Sequence, residues 1–324
     1  MSLISTVRLA LALGMAAVLA TPVAAQIRFP DKPVRIVVPY PAGISPDVVA
    51  RLLGDKLSQQ WGQPVLIDNR PGASGMIGAE AAVRSKPDGY TVLLAVSAIM
   101  SMNPHLYPKQ PYDVAKDLKP VVQVLSVPFV LTAARDSPFN NLKELVEEAR
   151  KNPGKINYAS LGAGSQSHVA MEWFSSRNQI RINHIPYKGS PLNEMMSGTV
   201  ALYLDPVVTA MPLVAGQKVK ALAVTSRTRN TTLPNVPTFA ELGFPGYETN
   251  SFQGIFVPAE TPADVVAKLN ADFARVIGLP EIQKKLIDLG YLPVGGTPEE
   301  FARVVREDYD LWGRVIRENN IRVD

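Results

Sequence analysis

Two strand-to-helix junctions constrain this chain more than any other feature. One runs from Val34-Arg35-Ile36-Val37-Val38 through Pro39-Tyr40-Pro41-Ala42-Gly43-Ile44-Ser45 into Pro46-Asp47. The other runs from Ile156-Asn157-Tyr158-Ala159-Ser160 through Leu161-Gly162-Ala163-Gly164-Ser165 into Gln166-Ser167-His168. Each reads as an apolar strand, a Gly/Ser turn and an amphipathic helix. A helix start carries unpaired N–H groups and the positive end of the macrodipole. Glycine lets an anion approach the backbone, and serine adds a hydroxyl. Two such starts far apart in the chain point to two lobes gripping one anionic ligand. The candidate contacts are Tyr40, Ala42, Gly43, Ile44, Ser45 and Asp47 at the first, and Ser160, Gly162, Ala163, Gly164, Ser165 and His168 at the second. Ser45 is expected to cap the first helix, with Pro46 at its first position. Asp47 in the first turn favours the dipole, though its charge could also repel an anion or pair with a ligand ammonium.

The N-terminus reads as a secretory signal. Arg8 precedes an apolar run, Leu9 to Ala20, that is shorter than the about 20 residues a bilayer demands. Val23-Ala24-Ala25 supplies the small residues of a cleavage site, so residues 1–25 are expected to be removed. There is no cysteine, which fits a periplasm where disulfides are optional. Loss of Arg8 lowers the net charge from +4 to +3. That mild excess suits anionic small molecules. The Lys and Arg residues are scattered, so nucleic acid is not an expected partner.

Strand and helix signals then alternate, predicting an α/β fold with largely parallel sheets. Thr297-Pro298-Glu299-Glu300, Thr261-Pro262-Ala263-Asp264 and Thr238-Phe239-Ala240-Glu241 mark three helix starts. Phe301, Val304, Val305, Trp312 and Ile316 form an apolar stripe at helical spacing that would cover a sheet. Val121–Phe129 and Asn250–Val257 read as paired crossings between the lobes. They divide the chain into residues 26–127 plus 253–324 and residues 128–252. Ser97 and Asp205 follow apparent strands, and in open α/β sheets the crevice lies at the carboxyl ends of strands, so both are candidate walls. Tyr187-Lys188-Gly189 would place a cation at the rim, or only a solvated turn.

Chemistry is poorly served. His105, His168 and His184 stand apart, with no metal-ligand spacing. Tyr158-Ala159-Ser160-Leu161-Gly162 lacks the first glycine of a nucleophile elbow, and a Ser160/His184/Asp205 triad is compelled by nothing in the order or spacing. Gly162-Ala163-Gly164 has no acidic residue some twenty positions on for a ribose. The expectation is no catalytic residue, no metal and no cofactor, with a periplasmic serine hydrolase as the rival reading.

Taken in order, the phrases Phe29-Pro30-Asp31-Lys32-Pro33-Val34-Arg35, Pro39 to Asp47, Asn69-Arg70-Pro71-Gly72, Pro87-Asp88-Gly89-Tyr90-Thr91, Gly162 to His168, Pro186-Tyr187-Lys188-Gly189 and Leu233-Pro234-Asn235-Val236-Pro237-Thr238 resemble the Bug family. These are the extracytoplasmic receptors of tripartite tricarboxylate transporters. The resemblance implies a two-lobed, type II-like periplasmic binding protein, each lobe a mostly parallel sheet flanked by helices, with the cleft between. It implies a small organic acid as ligand: a di- or tricarboxylate, an acidic amino acid or an aromatic carboxylate. The carboxylate would be held by Tyr40–Ser45 and Ser160–Ser165. A membrane permease, or a sensor kinase, would be the protein partner of a monomeric receptor. Ile44 stands where the family usually has glycine. A β-branched residue resists positive φ, so Ile44 is expected to narrow the loop or to favour an apolar ligand.

Overall fold

The computed structural model describes residues 29–323 except Pro108 and Lys188. The expected signal segment and the Lys188 rim position lie outside the described residues. In chain order the strands are β1 (Val34–Val38), β2 (Val65–Asn69), β3 (Thr91–Val96), β4 (Leu118–Val127), β5 (Phe129–Ala134), β6 (Asn157–Ser160), β7 (Asn183–Pro186), β8 (Leu202–Pro206), β9 (Val219–Val224), β10 (Ser251–Pro258) and β11 (Leu292–Gly295). The helices are α1 (Ser45–Trp61), α2 (Met76–Val83), α3 (Asn103–Leu106), α4 (Val114–Asp117), α5 (Leu142–Lys151), α6 (Gln166–Arg177), α7 (Leu192–Met196), α8 (Val207–Ala215), α9 (Ala263–Ile277), α10 (Pro280–Asp288) and α11 (Pro298–Glu318).

They build two sheets, ordered β11-β4-β10-β3-β1-β2 and β7-β6-β8-β5-β9. The α/β, two-lobed expectation holds, but both sheets are mixed rather than mostly parallel. In the first, β1 runs parallel to β2 and β3, while β10 is antiparallel to β3 and β4, and β11 to β4. In the second, β6 is parallel to β7 and β8, while β5 is antiparallel to β8 and β9. The reason is the connection between the sheets. The chain leaves the first sheet through β4 and returns through β10, and two strands that leave and return side by side must run in opposite directions. Val127 pairs with Ser251, so the two crossings touch. Strand β10 therefore starts at Ser251, ahead of the boundary at 253 read from the sequence. Across the gap, the Thr225 hydroxyl accepts from the Phe129 amide at 2.9 Å.

Helices cover the sheets with the faces their periodicity predicts. On α11, Phe301, Trp312, Val315 and Ile316 are buried. Its start has both bonds of a capping box between Thr297 and Glu300. The Phe301 ring closes on Gly254 of β10, where an added Cβ would come within 2.1 Å of the ring tip. On α9, Leu269 and Phe273 are buried, and the Trp61 indole at the end of α1 donates to Asp272 at 2.7 Å. Between the lobes, Trp173 of α6 meets Trp312 of α11 edge to face at 6.1 Å.

The other two expected helix starts behave differently. Before α9 the N-cap position is Pro262 with no side-chain cap bond, and the Thr261 hydroxyl donates instead to the Pro258 carbonyl at 2.7 Å. Thr238 and Glu241 make the reciprocal capping bonds, at 2.8 and 3.1 Å. No helix follows, only turns. Gly243, at φ 89°, and the Phe244-Pro245-Gly246 sequence end it before a full turn can propagate.

Candidate functional site

The first junction is built around a buried carboxylate. Asp47 is 2% exposed. Its Oδ2 accepts from the Gly43 amide at 2.7 Å and from Arg51 Nε at 3.0 Å, and its Oδ1 accepts from Asn69 Nδ2 at 2.9 Å. Asn69 also donates to the Tyr40 carbonyl at 3.1 Å. The Arg51 guanidinium leads in holding the Asp47 carboxyl down at about 2. Asp47 is thus an ion-paired post beneath the loop, with its charge spent on Arg51. Gly43 takes φ 87°, a region open mainly to glycine. Ile44 takes φ −91°, ψ 170°, so a β-branched side chain fits there without backbone strain. The side chain stands 43% exposed. Tyr40 packs against two hydrophobic clusters, and burial pushes its hydroxyl pKa far up.

Ser45 is not the cap its sequence suggests. The N-cap position is Ile44, with no side-chain cap bond. The Ser45 hydroxyl instead accepts from Gln253 Nε2 at 2.7 Å and from the Tyr291 hydroxyl at 2.6 Å. A serine oxygen has two lone pairs and one proton. With both lone pairs engaged, the proton is left to donate. The amides of Ala42, Ile44 and Ser45 have no partner among the described residues.

The second junction is similar in plan. Gly162 takes φ 107° and Gly164 takes φ 76°. The Gly162 carbonyl accepts from the hydroxyls of Ser160 at 3.1 Å and Ser165 at 2.7 Å. Ser165 also caps α6 by accepting from the His168 amide. His168 Nδ1 accepts from the Gly164 amide at 3.0 Å, which fixes that nitrogen as unprotonated. The amides of Ala163, Gln166 and Ser167 have no partner among the described residues. Both junctions therefore end in unpaired N–H groups at the start of a helix of more than two turns.

Sequence reasoning set His184 with Ser160 only in a triad that nothing compelled, and missed its stacking on His168. The His184 Nε2 lies 2.6 Å from Ser160 Oγ. Its ring stacks on His168 at 3.9 Å and 8°, and on Tyr158 at 5.0 Å. Burial lowers the pKa of His184 to about 4, and burial followed by the neighbouring His184 lowers that of His168 to about 4. The pair is neutral near pH 7. The parallel register of β6 and β7, which sets Tyr158 opposite His184, was the only signal that could have shown this.

Ser97 and Asp205 do not line an open crevice. Ser97 is fully buried and accepts from the Phe252 amide at 2.9 Å, tying the end of β3 to β10. Asp205 is 2% exposed, and Thr209 at the start of α8 donates to it at 2.5 Å. Its other oxygen is buried with no partner among the described residues. Burial raises its pKa to about 7. The triad drawn from sequence does not form either. Tyr158 pairs with Leu202 and Ala159 with Tyr203. Side chains alternate along a strand, so Ser160 shares a face with Tyr158 and His184, and Asp205 shares the opposite face with Tyr203. Among the described residues, no group of three or more His, Cys, Asp or Glu could hold a metal.

Two α/β lobes joined by paired crossings, with an unpaired helix start in each, define a periplasmic solute-binding protein. The chain belongs to the tripartite tricarboxylate transporter family receptors, which residues 49–321 match. It is 33% identical over 308 residues to protein BugT of Bordetella pertussis, covering 94% of each chain. Among solved structures it is similar to Rpa4515 of R. palustris with adipate (34% identity, TM-score 0.80, covering 91% of this chain and 99% of that one). It is also similar to MatC (Rpa3494) of Rhodopseudomonas palustris with bound malate (31% identity, TM-score 0.76, 89% and 100%). The family and these neighbours are receptors, so the protein is a binding protein and not an enzyme. Among the described residues, no helix is long and apolar enough to cross a membrane.

Proposed function

We propose that the protein captures a small organic acid in the periplasm by closing its lobes, residues 26–127 plus 253–324 and 128–252, on a carboxylate, and delivers it to the permease of a tripartite transporter. The signal segment is removed after Ala25 and the mature receptor acts as a monomer. The observation that carries this reading is the set of unpaired amides: Ala42, Ile44 and Ser45 on one loop, Ala163, Gln166 and Ser167 on the other. The Ser45 proton adds to the first set. Charge-assisted bonds of this kind contribute roughly 1.5–3 kcal/mol each. A few in excess of the ordering cost support micromolar binding, about 8 kcal/mol. Only a closed arrangement brings both loops to one anion, so the ligand would shift the population toward it. The dicarboxylates carried by two structural neighbours, adipate and malate, fit this chemistry.

The test is calorimetry with a panel of mono-, di- and tricarboxylates on the mature chain and on a Gly43→Val, Ser165→Ala double variant. At Gly43 a side chain meets nothing within 4 Å, so valine strains the loop conformation without a clash. Serine 165 loses its bond to the Gly162 carbonyl. We expect binding by the wild type and a loss of more than tenfold in a variant with unchanged circular dichroism. Unchanged affinity in the folded variant removes the two-loop reading.

A further inference from the structure

We infer that Ile44 and Leu161 set the ligand preference of the receptor, selecting acids whose body is an unsubstituted hydrocarbon. The inference rests on the carboxylate reading above and names the ligand class within it. A single exposed apolar residue is ordinary on a protein surface. Here each candidate loop carries one, Ile44 directly before its helix and Leu161 directly after its strand. Ile44 is 43% exposed and Leu161 is 51% exposed. Ile44 bears one of the unpaired amides itself, and Leu161 lies two residues from the free amide of Ala163. A carboxylate bonded to those amides places its next carbons beside these side chains.

The backbone makes Ile44 a firm wall. Its extended φ and ψ are unstrained, its carbonyl accepts from the Val48 amide at 3.0 Å, and a β-branched side chain has few rotamers to lose. Val48, one helical turn on and 42% exposed, continues the apolar face away from the loop. A ligand with methylenes against these walls loses water from both surfaces. A ligand with hydroxyls there would bury them without partners.

Adipate and galactarate make the discriminating pair, since they share length and both carboxylates and differ by four hydroxyls. We expect the wild type to bind adipate at least tenfold more tightly than galactarate. Ile44→Ala and Leu161→Ala should each weaken adipate by about four- to fifteenfold, the scale of one or two lost methylene contacts, and change galactarate less than twofold. Ile44→Thr keeps the β-branch, shortens the side chain and brings in a hydroxyl, and should move the ratio toward galactarate. An adipate-to-galactarate ratio that stays constant across all three variants overturns the inference, as does a wild type that binds only hydroxylated acids. Failure of the wild type to bind any acid of the wider carboxylate panel overturns the underlying reading instead.

Discussion

The Gly43 amide donates to Asp47 Oδ2 across 2.7 Å, and that bond folds the first loop back onto its own helix. It spends one backbone donor to orient three others. It also explains how a carboxylate can sit at an anion site. The Asp47 charge faces Arg51 and Asn69, leaving the open side of the loop to amides.

Replacing Asp47 with alanine should therefore harm both fold and binding. The change strands Arg51 and Asn69 and frees the Gly43 amide. Loss of such a buried, bonded carboxylate costs about 1–3 kcal/mol. Urea unfolding should show a lower midpoint, with the unfolding free energy down by that amount. Calorimetry should show carboxylate affinity down more than tenfold. Full affinity in the variant would mean that the loop holds its shape without the post.

Tyr291 offers a finer test. Its hydroxyl and the Gln253 amide fill the two lone pairs of Ser45. Tyr291→Phe removes one, so the serine proton can turn inward. We expect affinity to fall about threefold to tenfold, consistent with one net hydrogen bond of roughly 1 kcal/mol. Ser45→Ala should cost at least as much, and Tyr291→Phe on top of Ser45→Ala should add little. Additive losses would show that Tyr291 acts by another route.

The stacked imidazoles predict an acid-sensitive second loop. His168 and His184 titrate near 4 in the native protein against an ordinary 6.5. Between those values the unfolded chain takes up protons that the native protein refuses. Their contribution to stability is thus intact above about pH 6.5 and is lost as pH falls toward 4, by at most about 1.4 kcal/mol per pH unit for each group. Calorimetric melting from pH 7 to 4.5 should show this slope. His168→Asn, whose amide oxygen can still accept from Gly164, should flatten it. An unchanged slope would place the acid sensitivity elsewhere.

Asp205 works in the opposite direction. Its pKa is raised from 3.8 to about 7, so the native protein keeps a proton that the unfolded chain releases. That contribution is full below about pH 4 and fades as pH rises through 7. Asp205→Asn carries no such charge to bury. Its melting temperature should match the wild type at or below about pH 4, pull ahead as pH rises, and exceed it by most at pH 8. Equal melting temperatures at pH 8 would mean that the carboxylate finds a partner when it ionises.

Local chemistry made much of this legible. The two junctions and the Thr297 capping box are set by residues within a few positions of one another, and each was readable in advance. Ser45 was misread because a serine before proline looks like a cap, while its hydroxyl is claimed by Gln253 and Tyr291 from distant parts of the chain. Strand β11 went unseen because Pro293 interrupts it, which an edge position tolerates. Helix α8 hid behind Pro212. Asp205 and Ser97 were placed by strand ends alone, and strand ends do not reveal which face of a sheet a side chain joins.

The central place of β10 in the first sheet governs the order in which the molecule can be completed during synthesis. Strand β10 lies between β3 and β4, yet the ribosome makes it only after every strand of the second sheet. Until then β2-β1-β3 and β4 are separate fragments with bare edges. The later-starting half can close first, and the half begun earliest must wait, its raw margins open to chance partners.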